Sequence, residues 1–226
     1  MPENFRIHLL GLGFKWDWIP KSLKQSRADK FYLFRKKDEE NKDALKAEKE
    51  VIKILKKKDI PYELVEYKQK DIFGLLKSIK EVIEKEKKNF IYLNISSGQR
   101  EVLTSFAISS TLFKSIAKGL KLYSMEEGDF DHLPSFEVKL PEKRLIEAMK
   151  FIAGNNNECR KKELLKHVFE NNIIKVDKNT PCNKYMKLNR SIVDKLLHWK
   201  FIEIEGKGKG SVIKLNEDGQ NIIKFL

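Results

Sequence analysis

The residues best equipped for chemistry lie in one run, Asn94-Ile95-Ser96-Ser97-Gly98-Gln99-Arg100. Two hydroxyls, a glycine, an amide and a guanidinium are delivered between the apolar stretch that starts at Phe90 and a helix with Gln99 and Arg100 in its first turn. That set suits a phosphate. A glycine beside the free N–H groups that open a helix makes an anion cradle. Ser96 and Ser97 can donate hydroxyls, and Arg100 can fork onto phosphate oxygens. A plainer role is open at the same place, since either serine can cap the following helix; capping and binding are compatible. A second unusual turn, Gly11-Leu12-Gly13-Phe14-Lys15-Trp16, follows the first short apolar run, and Gly11 and Gly13 let the backbone approach a ligand closely. Phe14, Trp16 and Trp18 can stack on a base, or pack the neighbouring helix.

Several other chemistries are excluded. A dinucleotide fingerprint needs a third glycine where this chain has Trp16, and no Gly-Lys-Ser/Thr is present for a P-loop. No nucleophile elbow or zinc-ligand pair appears, so no catalytic residue and no metal ligand is assigned. Glu126, Glu127, Asp129 and Asp131 with His132 read as a solvated acidic loop, because their order matches no metal-ligand spacing. Cys159 and Cys182 read as ordinary free thiols. His8, inside an apolar strand, reads as a satisfied core histidine.

The elements that must position the two turns alternate strand and helix. Short apolar or aromatic runs occur at FRIHLLGL, KFYLFR, YELVEY, FIYLNIS and GLKLYSM. Amphipathic helices fall between them, with Ala47, Val51, Ile54 and Leu55 on one face of 44–58 and Ile72, Leu75, Leu76, Ile79, Val82 and Ile83 on one face of 71–87. A further helix over 104–117 is apolar on most sides. Strands separated by helices pair in parallel, so the first part is expected to be an α/β Rossmann-like three-layer sandwich with a mostly parallel sheet. In the usual strand order the sheet reverses between its first and fourth strands, and ligands seat beyond the carboxyl ends there. Both unusual turns leave those two strands. A final edge strand is expected near 136–140.

After Pro141 the pattern changes to three helices and a glycine-tipped hairpin, Phe201-Ile202-Glu203-Ile204-Glu205-Gly206-Lys207-Gly208-Lys209-Gly210 and its return. That order is a winged helix-turn-helix, whose third helix enters the major groove. With Tyr185, Leu188, Ile192, Val193, Leu196 and Leu197 inward, Lys184, Lys187, Arg190 and Ser191 fall on or near the outward face. The lysines suit phosphates, Arg190 and Ser191 suit base edges, and Lys207 and Lys209 in the wing can follow a groove. His198 and Trp199 are expected to pack against the wing. The expected division is a ligand-sensing domain at 1–138 and a DNA-binding domain at 139–226. The formal net charge of +13 favours polyanionic partners. From Pro141 to Leu226 there are 18 Lys and Arg against 11 Asp and Glu. No apolar run is long enough for a bilayer and no signal-peptide order opens the chain, so the expected place is the cytoplasm, without membrane association.

RIHLLGLGF, the spacing to RADKFYLF, and IYLNISSGQR resemble CARF-type ligand-sensing domains, in particular archaeal regulators in which such a domain precedes a winged helix. The wing and GSVIKLNEDG are similar to bacterial and archaeal winged-helix regulators. The resemblance implies a homodimer whose N-terminal cleft, lined by Gly11, Gly13, Phe14, Ser96, Ser97, Gly98, Gln99 and Arg100, senses a nucleotide-like effector. CRISPR-associated relatives sense cyclic oligoadenylates. The implied function is ligand-responsive transcription regulation on double-stranded DNA, with no cofactor beyond the effector. Two alternatives are open. One is a ring nuclease that cleaves its cyclic ligand by positioning and positive charge from Lys15, Ser97 and Arg100. The other is a defence-associated interaction module that does not touch DNA.

Overall fold

The computed structural model describes residues 4–13, 16–17, 19–20, 23, 27–117, 119–126, 129–135, 137–138, 140–174 and 183–224. The chain divides into two compact units, Met1–Lys139 and Leu140–Leu226.

The first unit is built on a six-stranded sheet: β1 (Arg6–Gly11), β2 (Lys30–Lys36), β3 (Tyr62–Tyr67), β4 (Phe90–Asn94), β5 (Leu120–Glu126) and β6 (Asp129–Leu133). Its order is β3-β2-β1-β4-β5-β6. Five strands run parallel and β6 is antiparallel to β5. Ile7 to Gly11 of β1 are all buried, as a parallel strand covered on both faces requires. Leu10, Phe31 and Leu33 pack with Val51 and Leu55 of helix α1 (Lys42–Lys57). On the other face Phe34 meets Phe106 of helix α3 (Arg100–Leu112) edge-on, with ring centroids 5.3 Å apart. α3 also packs on helix α2 (Ile72–Lys85). Helix on sheet on helix gives the three layers expected.

Local chemistry sets the helix starts. Asn41 caps α1 by accepting from the N–H groups of Asp43 and Ala44, and Asp71 caps α2 through Gly74 N at 2.8 Å. Two expectations are corrected. α3 opens at Arg100, and its buried face is Val102, Ser105, Phe106, Ser109 and Ser110, so small serines replace the expected broad apolar surface. The edge strand is β6, inside the segment read as an acidic loop; where one is expected near 136–140, the described residues 137–138 and 140 are not strand, and pairing in register with β5 supplies what the composition of β6 hides. His8 is buried against Phe31 and Tyr92, the latter stacked at 4.8 Å, and its Nδ1 lies 2.9 Å from Tyr123 Oη. Burial pushes its pKa down to about 4, so it is neutral core.

The second unit contains α4 (Lys143–Gly154), β7 (Glu158–Arg160), α5 (Lys161–Glu170), α6 (Lys184–Leu188), a π-helical turn (Asn189–Val193), α7 (Asp194–His198), β8 (Ile202–Glu205), β9 (Val212–Leu215) and α8 (Glu217–Ile223). β7, β9 and β8 form an antiparallel sheet in that order. Leu145, Met149, Ile152, Leu164, Val168, Leu188, Ile192, Leu196 and Ile213 share one core. β7, too short to carry an alternation, is an addition to the expected elements. Cys159 lies buried on it with its thiol pushed up to about 12 by burial; Cys182 falls outside the described residues. Among the described residues no helix is long and apolar enough to cross a membrane.

Candidate functional site

The reversal of strand order lies between β1 and β4, and the loops leaving those two strands cross each other there. Asn94 ends β4 fully buried, and its Oδ1 accepts from Ser96 N at 2.7 Å, which turns the chain. Ile95 N donates to Tyr123 O of β5. Ser97, 7% exposed, donates its hydroxyl to Gly11 O at 3.0 Å and ties the loop to the end of β1. Gly98 has φ +126, and a Cβ built there would stand 3.0 Å from Gly11 Cα. A Cβ on Gly13 would stand 2.9 Å from Gly98 N, and one on Gly11 2.9 Å from Val102 Cγ1.

Three sequence-predicted residues, Gly11, Gly13 and Gly98, are therefore brought together as backbone against backbone. The crossing of the two loops is by itself a reason for their small size. A correction concerns the helix cap. Gln99, not Ser96 or Ser97, is the N-cap of α3, and no side chain caps it. Ser96 and Gln99 are half-buried and Arg100 is exposed, so an amide, a hydroxyl and a guanidinium remain around the first turn of a 13-residue helix, the partially positive end of its dipole. Phe14 and Lys15 lie outside the described residues.

Sequence reasoning missed the acidic and tyrosyl groups beside this crevice. Gln99 Nε2 donates to Glu39 Oε2 at 2.7 Å, and Glu39 Oε1 accepts from Asn41 N at 3.0 Å. Glu39 also lies 3.9 Å from Lys36 Nζ. Tyr67, at the end of β3, is buried and its hydroxyl has no partner among the described residues. Burial, then the charges of Glu101 and Glu39, push its pKa upward. Lys36, Lys37, Asp38, Glu40, Lys68 and Gln69 line a depression next to these groups. No local motif announces this set, because three separate strand ends supply it.

In the second unit Lys184 and Arg190 are exposed, while Lys187 and Ser191 are half-buried, all on the element running from α6 to α7. The wing tip carries Lys207 and Lys209, both exposed, between Gly206 at φ +81 and a short 3-10 turn, Gly208–Gly210. Lys209 Nζ sits 5.4 Å from the centroid of the Tyr185 ring, which joins the wing to the opening turn of α6. Lys184 Nζ lies 5.8 Å from the Phe169 ring. The π turn contains Arg190 and Ser191. Lys195 is held by Glu142, and Lys214 is shared by Glu158 and Glu205. Leu197 does not join the buried stripe: Leu196 takes the core position and Leu197, one position around the helix, is 41% exposed. Trp199 stacks on Phe201 at 5.7 Å yet stays 38% exposed, and His198 is exposed, so neither is packed away under the wing.

Residues 6–126 match the family described as HFX_2341_N:-like, N-terminal. Residues 144–226 match the DUF6293 C-terminal winged helix domain. The chain is 30% identical over 137 residues to Uncharacterized protein MJ1513 of Methanocaldococcus jannaschii, covering 58% of this chain and 41% of that protein. It thus spans about two fifths of the length of the curated relative it matches. Among solved structures, protein VC1899 from Vibrio cholerae shows 13% identity and a TM-score of 0.45, over 97% of this chain and 64% of that one. Enterococcus italicus Csm6 bound to cyclic hexa-2'-fluoro-hexa-dAMP shows 13% identity and a TM-score of 0.44, over 87% and 56%. Can2 from Sulfobacillus thermosulfidooxidans in complex with cyclic tetra-adenylate shows 12% identity and a TM-score of 0.37, over 97% and 63%. Matched over more than half its length in the first unit and across nearly all of the second, the chain belongs to the HFX_2341_N:-like, N-terminal family and carries a DUF6293 C-terminal winged helix domain.

Proposed function

We propose that this protein is a ligand-responsive DNA-binding regulator that works as a homodimer. A nucleotide-like anion binds beside the crossing of the β1 and β4 loops, with Ser96, Gln99, Arg100 and the main chain of Gly98 as its contacts. The winged helix binds double-stranded DNA through Lys184, Lys187, Arg190 and Ser191, with Lys207 and Lys209 on the neighbouring groove. The resemblance to CARF-type domains makes cyclic oligoadenylate the first ligand to try. The effector acts by binding one state of the dimer more tightly than another, which changes affinity for DNA by the same coupling energy.

The observation that carries this reading is the convergence of two loops at the strand-order reversal, where ligands of open parallel sheets seat. The lysine placed over Tyr185 adds support for the DNA limb, because it joins wing and helix in one basic surface. The test is fluorescence anisotropy of the full chain on duplex DNA at several salt concentrations, with and without cyclic tetra-adenylate. The reading expects affinity to fall steeply with salt and to change at least severalfold on adding the ligand. Salt-independent binding, or DNA affinity indifferent to a ligand that does bind, would count against it. Linear products released from the ring would instead support a ring nuclease.

A further inference from the structure

We infer that Glu39 accepts the 2′-hydroxyl of a ribose, so that the crevice selects ribonucleotides over deoxyribonucleotides; the inference rests on the nucleotide reading above and names the chemical class of its ligand. Glu39 is three residues beyond the end of β2, the strand beside β1 and on the far side of it from β4. Ligands of such sheets seat beyond the carboxyl ends of the strands beside the order reversal, so a residue that follows β2 borders that seat. A carboxylate at that end accepts hydrogen bonds and cannot donate them when ionised, so it suits a sugar hydroxyl and repels a phosphate.

The side chain is built into place rather than left loose. Asn41 N binds Oε1, Gln99 Nε2 binds Oε2 at 2.7 Å, and the side chain is 13% exposed. Through Gln99 the carboxylate is anchored to the residue that opens α3, next to Gly98 and Arg100. Each of its oxygens has lone pairs beyond the one bond it accepts here. Tyr67 supplies a second pointer. Its hydroxyl is buried without a partner among the described residues, in a place that feels both Glu39 and Glu101. Polar groups of that kind are normally satisfied, and a bound ligand is one way to satisfy them.

Lys36 stands 3.9 Å from Glu39, and Lys36, Lys37 and Lys68 line the adjoining depression together with Asp38 and Glu40, so the charge beside the carboxylate is mixed.

The experiment titrates the full-length wild type, Glu39→Ala and Glu39→Gln with cyclic tetra-adenylate and with its tetra-2′-deoxy analogue, by isothermal calorimetry. Folding of each variant is checked by circular dichroism. Wild type is expected to favour the ribo ring by about tenfold or more, as for a hydrogen bond to a charged group. Glu39→Ala is expected to bind both rings alike, and Glu39→Gln to keep part of the preference. Equal affinity of wild type for both rings overturns the inference and leaves the nucleotide reading standing, as does a preference that survives Glu39→Ala. If neither ring binds wild type, the cyclic-oligoadenylate reading falls and this inference falls with it.

Discussion

Replacing Gly98 by alanine probes the loop crossing directly. Gly98 holds φ +126, a conformation L side chains rarely adopt, and forcing one into it costs about 1–3 kcal/mol. The added Cβ also meets backbone: Gly11 Cα at 3.0 Å and Gly11 C and O at 3.3 Å. Backbone at the end of a buried central strand cannot swing aside, so overpacking adds about 1–3 kcal/mol. The two effects together destabilise the first unit by about 2–6 kcal/mol, a fall in Tm on the order of 10 °C. Gly13→Ala carries only the overlap, with Gly98 N at 2.9 Å, and is expected to cost about 1–3 kcal/mol. Gly154→Ala is the control, because a Cβ there meets nothing within 4 Å and φ is ordinary. The assay is thermal unfolding of the full chain, with hydrogen exchange to assign the loss to the first unit. A Gly98→Ala protein that unfolds within about 1 °C of wild type would refute the tight crossing and with it the argument that these glycines serve it.

Other outcomes follow from the same geometry. Arg190→Ala is expected to weaken binding to a preferred duplex by about 1–3 kcal/mol while leaving non-specific affinity nearly intact, and Lys209→Ala to weaken all duplexes and reduce the salt slope by about one. Anisotropy titrations at four salt concentrations separate the two; identical slopes for wild type and Lys209→Ala contradict the wing's role. Tyr185→Leu removes the ring beneath Lys209 while keeping an apolar side chain, and is expected to weaken DNA binding about two- to fivefold. His8 is held neutral to about pH 4 against an ordinary value of 6.5, so the unfolded chain binds the proton first as pH falls. Its contribution is complete above pH 6.5 and is lost between 6.5 and 4, on the order of 3 kcal/mol. His8→Phe, measured by urea unfolding across that window, is expected to flatten the slope; an unchanged slope would show that His8 does not govern it.

Most of the architecture could be read from local pattern. Five parallel strands follow from apolar runs alternating with amphipathic helices, and the chirality and order of such units are restricted enough that the β1–β4 reversal could be anticipated. β6 and β7 were not legible, since Asp129–Leu133 and Glu158–Arg160 are strands only by virtue of partners far along the chain. The cap of α3 is harder to place than its start, because Gln99 caps without a side-chain bond while Ser96 and Ser97, whose hydroxyls suit a cap, lie three and two residues before it. At the candidate site the glycines were visible but their purpose was not: a small residue looks the same in sequence whether it makes room for a ligand or for another backbone. Glu39, Tyr67 and Glu101 leave no sequence signature at all, because Glu39 follows β2, Tyr67 ends β3, Glu101 lies in the first turn of α3, and only the sheet order gathers them. Leu197 shows the limit of period counting, since Leu196 and Leu197 fit an apolar stripe about equally and packing decides between them.

The most direct test of an anion seat at the β1–β4 crossing is equilibrium binding of cyclic tetra-adenylate to wild type and to Arg100→Ala. Arg100 is exposed at the opening of α3 and makes no contribution to the core, so its loss leaves the fold intact. A seat at this place predicts saturable binding to wild type that weakens about tenfold or more in the variant. Equal affinity of the two proteins would place the ligand elsewhere and contradict the account.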